Sequence, residues 1–189
     1  MEILQTDFAK TTDLVLQELR RTFTEIDGRE VAGAASALLA ARRVFFQGAG
    51  RSGLALKMAA MRMMHLGLVV YVAGEVTTPA IEEGDLLVVA SGSGTTAGPV
   101  HAAEVARKAG TSVLALTTSP ESKLGSLATL VLKIPAATKQ GSDRTQSQQY
   151  AGALFEQAVL LLMDILFQGM WRQRGDTAEQ LWKRHANLE

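Results

Sequence analysis

The sequence predicts an α/β protein with a doubly wound, five-stranded parallel sheet in the strand order 2-1-3-4-5. Five short apolar segments alternate with stretches of helical periodicity, which is the pattern of parallel strands that are buried on both faces. Two glycine-rich polar loops, 48–53 and 91–96, follow the first and third segments. In this strand order strands 1 and 3 are neighbours whose connections diverge, so the two loops should meet where such sheets bind ligands.

The length and composition favour a single globular domain. The 189 residues divide into N-terminal helices (1–41), an α/β core (42–170) and a helical tail (171–189), and this length is ample for one core. A formal net charge of zero provides no basic surface for nucleic acid or an anionic membrane. The absence of cysteine excludes disulfides and thiolate chemistry and fits a reducing compartment.

We expect a cytoplasmic protein that does not enter membranes. The first ten residues, MEILQTDFAK, lack the basic region and apolar core of a signal peptide. The most apolar helical stretch, near 151–167, contains Glu156, Gln157 and Asp164. It therefore falls short of the roughly 20 clean apolar residues that a membrane span needs.

Two helices are predicted ahead of the first strand, over 3–26 and 29–41, with an Asp27-Gly28 break between them. Each carries apolar residues at helical spacing. Two such helices are more than one layer of an α/β fold requires. Either they cover the sheet, or they pack on another subunit.

The remaining elements follow from apolar runs, helical periodicity and the glycines and prolines that end them. A polar segment at 138–149 is predicted to be a loop over the sheet edge. The predicted strands are 44–47, 68–73, 86–90, 112–116 and 130–134, and the predicted helices are 54–66, 96–109, 122–127, 150–170 and 176–186.

The first polar loop, GAGRSG, matches the glycine spacing of a dinucleotide-binding fingerprint through Gly48, Gly50 and Gly53. Glu75 follows the second strand and could take the place of the acidic residue that contacts the ribose. A dinucleotide site does not, however, require the second, hydroxyl-rich loop. One compact phosphate held by both loops explains both motifs.

The second polar loop, SGSGTT, follows a strand of five apolar residues. Ser91, Ser93, Thr95 and Thr96 can each donate a hydrogen bond, and a helix is predicted to begin at Thr95 or Thr96. The free amides and positive dipole end of that helix would face the same loop, which makes a phosphate site. The alternative is an ordinary capped turn without a ligand.

Two titratable residues of the α/β core are candidates for catalysis. Glu156 lies in an apolar helix; if it is buried, its pKa would rise and it could act as a general base. The alternative is an exposed position on a thin polar stripe with Gln149 and Gln157. His65, at the end of a methionine-rich helix, either interacts with the helix dipole or reaches the site as a catalytic group.

With these residues identified, the chain resembles the sugar isomerase (SIS) domain family, and within it the branch that acts on 3-hexulose 6-phosphate. The resemblance covers nearly all of 44–189. One departure is Thr95, where relatives often have glutamate. The segments that carry the resemblance are VFFQGAGRSG, MRMMHLG, YVAGEVTTP, SGSGTT, GALFEQ and RHANLE.

The resemblance implies a flavodoxin-like SIS fold and reversible isomerisation of 3-hexulose 6-phosphate to fructose 6-phosphate through an enediol. This is the isomerisation step of the ribulose monophosphate route of formaldehyde fixation. It also implies that no metal or organic cofactor is needed. Relatives assemble as homotetramers in which the C-terminal segment of one chain can complete a neighbour's site, which would explain why a tail with Trp182 docks.

The resemblance and the chemistry together assign roles to the candidate residues. Glu156 would transfer the proton between carbons. His185 is the first choice and His65 the second for moving protons between oxygens, because imidazole titrates near neutrality. The residues expected to hold the phosphate are Ser52, Ser91, Ser93 and Thr96, with Gly50, Arg51 and Thr95 as helpers.

Three other functions are considered. An isomerase of arabinose 5-phosphate is disfavoured because such relatives usually carry extra regulatory domains, which this length excludes. A sugar-phosphate sensor is disfavoured because nothing in the sequence resembles a DNA-binding unit. A dinucleotide enzyme is the most distant alternative, and cofactor absorbance would reveal it.

Overall fold

One sheet of five parallel strands, in the order β2-β1-β3-β4-β5, forms the centre of the computed structural model, which describes residues 2–137 and 147–188. β1 and β3 pair from Val44 with Leu86 to Gly48 with Ala90, so their carboxyl ends lie side by side. The predicted fold class and strand order are confirmed. The strands are β1 (Val44–Gly48), β2 (Val70–Val72), β3 (Leu86–Ala90), β4 (Ser112–Thr117) and β5 (Leu130–Lys133).

Helices cover both faces of the sheet and create two hydrophobic cores. Phe46 and Val88 face one core with α1, α2, α3 and α6, whereas Phe45 and Leu87 face the other with α4 and α5. Burial of alternate residues on opposite faces accounts for the continuous apolar runs. The helices are α1 (Glu2–Glu25), α2 (Gly28–Ala40), α3 (Gly50–His65), α4 (Ala97–Lys108), α5 (Lys123–Leu127), α6 (Ala153–Arg174) and α7 (Ala178–Trp182).

α2 packs on β5 and so covers the sheet, as the first of the two alternatives predicts, whereas α1 packs mainly on α6. α2 buries Ala34 and Leu38 completely, and α1 buries Leu19 against the same core. α1 also leaves Phe8 and Leu16 largely exposed. One apolar strip of α1 therefore packs in the chain and another faces outwards.

α3 begins at Gly50 rather than at the predicted residue 54. The Gly53 N–H donates to the Ala49 carbonyl at 3.4 Å, which closes the first helical turn. A Cβ on Gly53 would lie 2.5 Å from the Gly48 oxygen. Glycine is therefore needed at 53 because the backbone of α3 passes close to the end of β1, and not because residue 53 lies in a loop. The correction places Gly50, Arg51 and Ser52 in the first turn of a helix.

The C-terminal helices also differ from the prediction. α6 ends at Arg174 rather than at 170, and Gly175 follows it with a φ of +69°, which suits the left-handed position after a helix; Gly169 is accommodated inside the helix. α7 spans five residues, not 176–186. Of the predicted loop at 138–149, residues 138–146 lie outside the described residues.

Within the described part of the chain, α6 is the one helix long and apolar enough, by length and composition alone, to cross a membrane. This corrects the expectation that the apolar stretch falls short. However, 56% of its most apolar window is buried inside the fold, where α6 packs against α3 and α1. The apolar residues of α6 pack in the core that it forms with α1, α2 and α3, which is the larger of the two cores.

Candidate active site

The carboxyl ends of β1 and β3 open into a cleft of about 610 Å³. Both polar loops lie in its wall, so the predicted meeting of the two loops at the switch point is present in the structure. The described residues around the cleft include six of the seven predicted phosphate-binding residues, namely Gly50, Ser52, Ser91, Ser93, Thr95 and Thr96.

Two helices begin at this cleft. Ala49 and Thr96 are the N-cap residues of α3 and α4, and neither makes a side-chain capping hydrogen bond. Thr96, one of the two predicted positions, is thus the N-cap residue of α4. Its hydroxyl, however, is hydrogen-bonded to the Ser91 hydroxyl and not to the helix. Both helices therefore direct amide groups and a positive dipole end towards the cleft, which favours an anion.

The hydroxyls of the second loop hold one another. The Ser91 and Thr96 hydroxyl oxygens lie 2.9 Å apart, and Ser93 Oγ accepts hydrogen bonds from the N–H and hydroxyl of Thr95 at 3.3 and 3.0 Å. Gly94 is required here because its φ is +64° and a Cβ would lie 1.8 Å from Ser122 Oγ. The loop is preorganised by contacts within the protein.

Ser119 is a further hydroxyl in the wall of the cleft, and the sequence reasoning missed it. It follows β4, the strand next to β3, and lies 3.3 Å from the Thr118 hydroxyl. Thr117 and Thr118 both donate to the Gly92 carbonyl, which ties this turn to the second loop. The strand order was the available signal, because β4 must end at the same edge as β3.

Glu156 is buried beside the cleft, with 5% of its side chain exposed, so the exposed-stripe alternative is wrong. It lies in the first turn of α6 next to Phe155, a residue of the cleft wall. The Arg51 Nε–H donates a hydrogen bond to Glu156 Oε2. Arg51, predicted to meet the phosphate or a sugar hydroxyl, is thus paired with the candidate base.

The two candidate histidines, His65 and His185, lie away from this cleft, near the other end of α3. Their rings stack at a centroid distance of 5.1 Å, and Trp182 stacks on His185 at 4.7 Å. They line a second cleft of about 720 Å³. Because α3 has 16 residues, His65 is about 22 Å from the helix start at the first cleft. One chain therefore does not bring His65 or His185 to Glu156.

Burial lowers the pKa of His65, and the nearby His185 and Arg62 lower it further. Neighbouring positive charge disfavours the imidazolium form. The ring of His65 is thus held towards the neutral form, which can both accept and donate a proton.

The tail docks, but not mainly through Trp182, whose exposed fraction is 71%. Leu181 is buried in the larger core, and Arg184 Nη1 donates to the His65 carbonyl at 3.0 Å. The Trp171 indole N–H donates to the Asp176 carbonyl at 2.6 Å. These contacts leave the Trp182 ring facing outwards beside the histidines.

A switch point with two polar loops, the second of them rich in hydroxyls, and two helix N-termini defines a binding domain for a small phosphorylated molecule. The chain belongs to the SIS domain family, whose model matches residues 37–161.

Several known proteins are similar to the chain over nearly its whole length. The chain is 50% identical over 189 residues to the 3-hexulose-6-phosphate isomerase of Mycobacterium gastri, covering 100% of this chain and 95% of that protein. It is 39% identical to the 3-hexulose-6-phosphate isomerase of Bacillus subtilis (strain 168), covering 95% and 100%. A Methanococcus jannaschii crystal structure, from which a 3-hexulose-6-phosphate isomerase function was inferred, has a TM-score of 0.83 at 26% identity and covers 95% of this chain and 99% of that one.

Proposed function

We propose that this chain is an isomerase that interconverts D-arabino-hex-3-ulose 6-phosphate and D-fructose 6-phosphate. The observation that carries the proposal is a buried carboxylate, Glu156, beside a cleft whose rim suits one phosphate group. The choice of substrate rests on the names of the similar proteins, which are 3-hexulose-6-phosphate isomerases. In this role the enzyme performs the isomerisation step of the ribulose monophosphate route of formaldehyde fixation, in the cytoplasm.

The phosphate is proposed to bind where α3 and α4 begin. Ser52 and Ser93 donate hydroxyl hydrogen bonds, and so does whichever of Ser91 and Thr96 does not donate to the other. Gly50 contributes its N–H at the start of α3, and Thr95, whose N–H and hydroxyl both donate to Ser93 Oγ, orients Ser93. Ser119 adds a donor from the third loop. This arrangement anchors the substrate at its C6 end and leaves the carbonyl carbons free to extend towards Glu156.

Glu156 is proposed to act as the base. It removes the C2 proton of the 3-hexulose, which gives an enediol between C2 and C3, and returns a proton to C3. The C2 hydroxyl proton moves to the oxygen on C3, so the carbonyl shifts from C3 to C2. Arg51, with 65% of its side chain exposed, can offer its Nη groups to a substrate oxygen while its Nε stays on Glu156.

A second copy of the chain is proposed to supply the imidazole, within a homotetramer. Leu54, Met58 and Met61 are exposed at helical spacing on α3, and Leu161 and Ile165 are exposed on α6. An apolar face of this kind is typical of an interface. It borders the second cleft, so a neighbour packed there would receive His65 or His185 into its own site.

Deuterium exchange tests the reaction. Purified protein with fructose 6-phosphate in deuterated buffer should give the 3-hexulose, with deuterium entering at carbon, as followed by proton NMR. Binding-induced line broadening without exchange or conversion would contradict the isomerase and support a non-catalytic sugar-phosphate sensor.

Complementation tests the shared site. Glu156→Gln should be co-expressed with His65→Ala, and in parallel with His185→Ala, using different affinity tags to isolate mixed assemblies. If base and imidazole come from different subunits, about a quarter of the sites in a randomly mixed assembly receive both intact groups. Activity in the mixed but not the separate variants is expected with at least one histidine variant. Inactive mixed assemblies with both would contradict the shared site.

A further inference from the structure

A buried carboxylate on α1, outside the proposed chemistry, holds the segment that leads into α6. Glu18 is 7% exposed. Its Oε2 accepts from the Ser147 hydroxyl at 2.7 Å and from Gln149 Nε2 at 3.0 Å, and its Oε1 accepts from the Gln148 N–H at 2.7 Å. Hydrogen bonds to an ionised carboxylate are stronger and geometrically stricter than neutral ones.

The network continues from this turn to the candidate base. Ser147 Oγ accepts from the Gln149 N–H at 3.1 Å, and Gln149 Oε1 accepts from Gln157 Nε2 at 2.9 Å. Gln157 directly follows Glu156. Hydrogen bonds therefore run from Glu18 through the turn at 147–149 to Gln157, near the start of α6.

The next turn of α1, on the same face of the helix, holds the chain where it leaves β5. The Thr22 hydroxyl, one helical turn after Glu18, donates to the Pro135 carbonyl at 3.3 Å. Ala137 and Gly152, which lie just beyond these two anchored segments, both line the cleft. Residues four apart lie on one face of a helix, so one face of α1 supports two parts of the cleft wall.

We infer that Glu18 is a positioning residue for Glu156. The inference rests on the proposed role of Glu156 as base. Glu18 fixes the turn at 147–149, and this turn fixes where α6 begins and hence where the Glu156 carboxylate points. The loops that hold the phosphate follow β1 and β3, and no described contact joins Glu18 to them. Proton transfer should thus depend on Glu18 while phosphate binding does not.

The first test is Glu18→Gln, with Glu25→Gln, an exposed glutamate on the last turn of the same helix, as the matched control. The amide keeps the shape of Glu18 but loses the charge and one acceptor. We expect kcat to fall about tenfold to a hundredfold, the cost of small misplacement of a reacting group. The inhibition constant for inorganic phosphate should stay within about twofold, as expected where the phosphate-binding groups are untouched.

A double variant separates positioning from general destabilisation. If Glu18 acts through Glu156, Glu18→Gln should cause little further loss in a Glu156→Gln background. Equal losses in both backgrounds, or an unchanged kcat in Glu18→Gln, would overturn the inference. Should Glu18→Gln fail to fold, Gln149→Ala removes one donor without removing the buried charge, and the same kcat loss and non-additivity are expected from it.

The wild-type exchange measurement keeps this inference distinct from the proposed function. If wild-type protein converts the phosphosugar and Glu156→Gln is impaired, an unchanged kcat in Glu18→Gln contradicts only the positioning role of Glu18. If Glu156→Gln is as active as wild type, the proposed base is wrong and the positioning role is overturned with it.

Discussion

At the scale of single residues, the pairing of Arg51 with Glu156 explains how a carboxylate remains in an apolar wall. A buried charge without a partner is costly. Here the guanidinium of Arg51 supplies the counter-charge, and the position of Glu156 in the first turn of α6 adds a favourable interaction with the helix dipole. The carboxylate is thus tolerated where a proton can be transferred away from bulk water.

Replacement of Glu156 by glutamine should lower turnover by about 10²–10⁴, the usual contribution of general base catalysis, and leave the fold intact because the side chain keeps its size. Steady-state kinetics with circular dichroism checks both. Glu104→Gln, on α4 across the sheet, serves as the surface control. Unchanged turnover would make Glu156 a structural residue.

The sequence could identify five of the six hydroxyl residues in the wall of the first cleft, because those five lie close together in two loops. It could not decide whether Glu156 is buried, since one helix offers both an apolar face and a polar stripe. The sequence does not indicate a role for Glu18, because its partners at 147–149 are about 130 positions away and no local pattern links them.

At the scale of secondary-structure elements, α3 separates two chemical features. Its first turn forms the cleft with Gly50 and Ser52, and its last residue is His65. The predicted helix at 54–66 already lies between the two features, so its length could have shown that His65 is far from the first polar loop. The early start of α3 was missed because glycine is a poor helix former, a preference that close packing overrides.

Deletion of residues 182–189 should reduce activity more than stability. The described residues of this stretch are exposed, and the buried anchor Leu181 is retained, so little apolar burial is lost. Tm should change by less than about 4 °C, the shift that about 1 kcal/mol causes in a domain of this size, while kcat falls if His185 or its docking is needed. Lys183→Ala is the control. A fully active truncated enzyme would contradict the role of the tail.

At the scale of the whole molecule, an ion-pair cluster secures the sheet at the edge opposite the cleft. Asp85, whose side chain is fully buried, pairs with Arg43 at 2.6 Å and with Arg42 at 3.1 Å, and it accepts from the Glu82 N–H at 2.9 Å. It thereby joins the beginnings of β1 and β3. Burial opposes the charged form, but these partners outweigh it and lower the pKa of Asp85 from 3.8 to about 2.

This cluster should make stability depend on pH in the acid range. Because the folded-state pKa is below the unfolded one, the stabilisation is present above about pH 4 and is lost as the pH falls towards 2. The loss is about 2 kcal/mol. Urea unfolding between pH 5 and pH 2 measures it. Asp85→Asn should show less of this dependence, whereas Asp13→Asn, an exposed control, should retain it; an equal slope in all three proteins would contradict the assignment.

The contact between Glu18 and Ser147 has a consequence for how the molecule forms. It closes a loop of 129 positions, whereas the two polar loops that are proposed to hold phosphate lie within about fifty positions of each other. Closure of longer loops costs more chain entropy, and contacts of this range form late. A refolding or newly synthesised chain should therefore regain affinity for phosphate before it regains turnover.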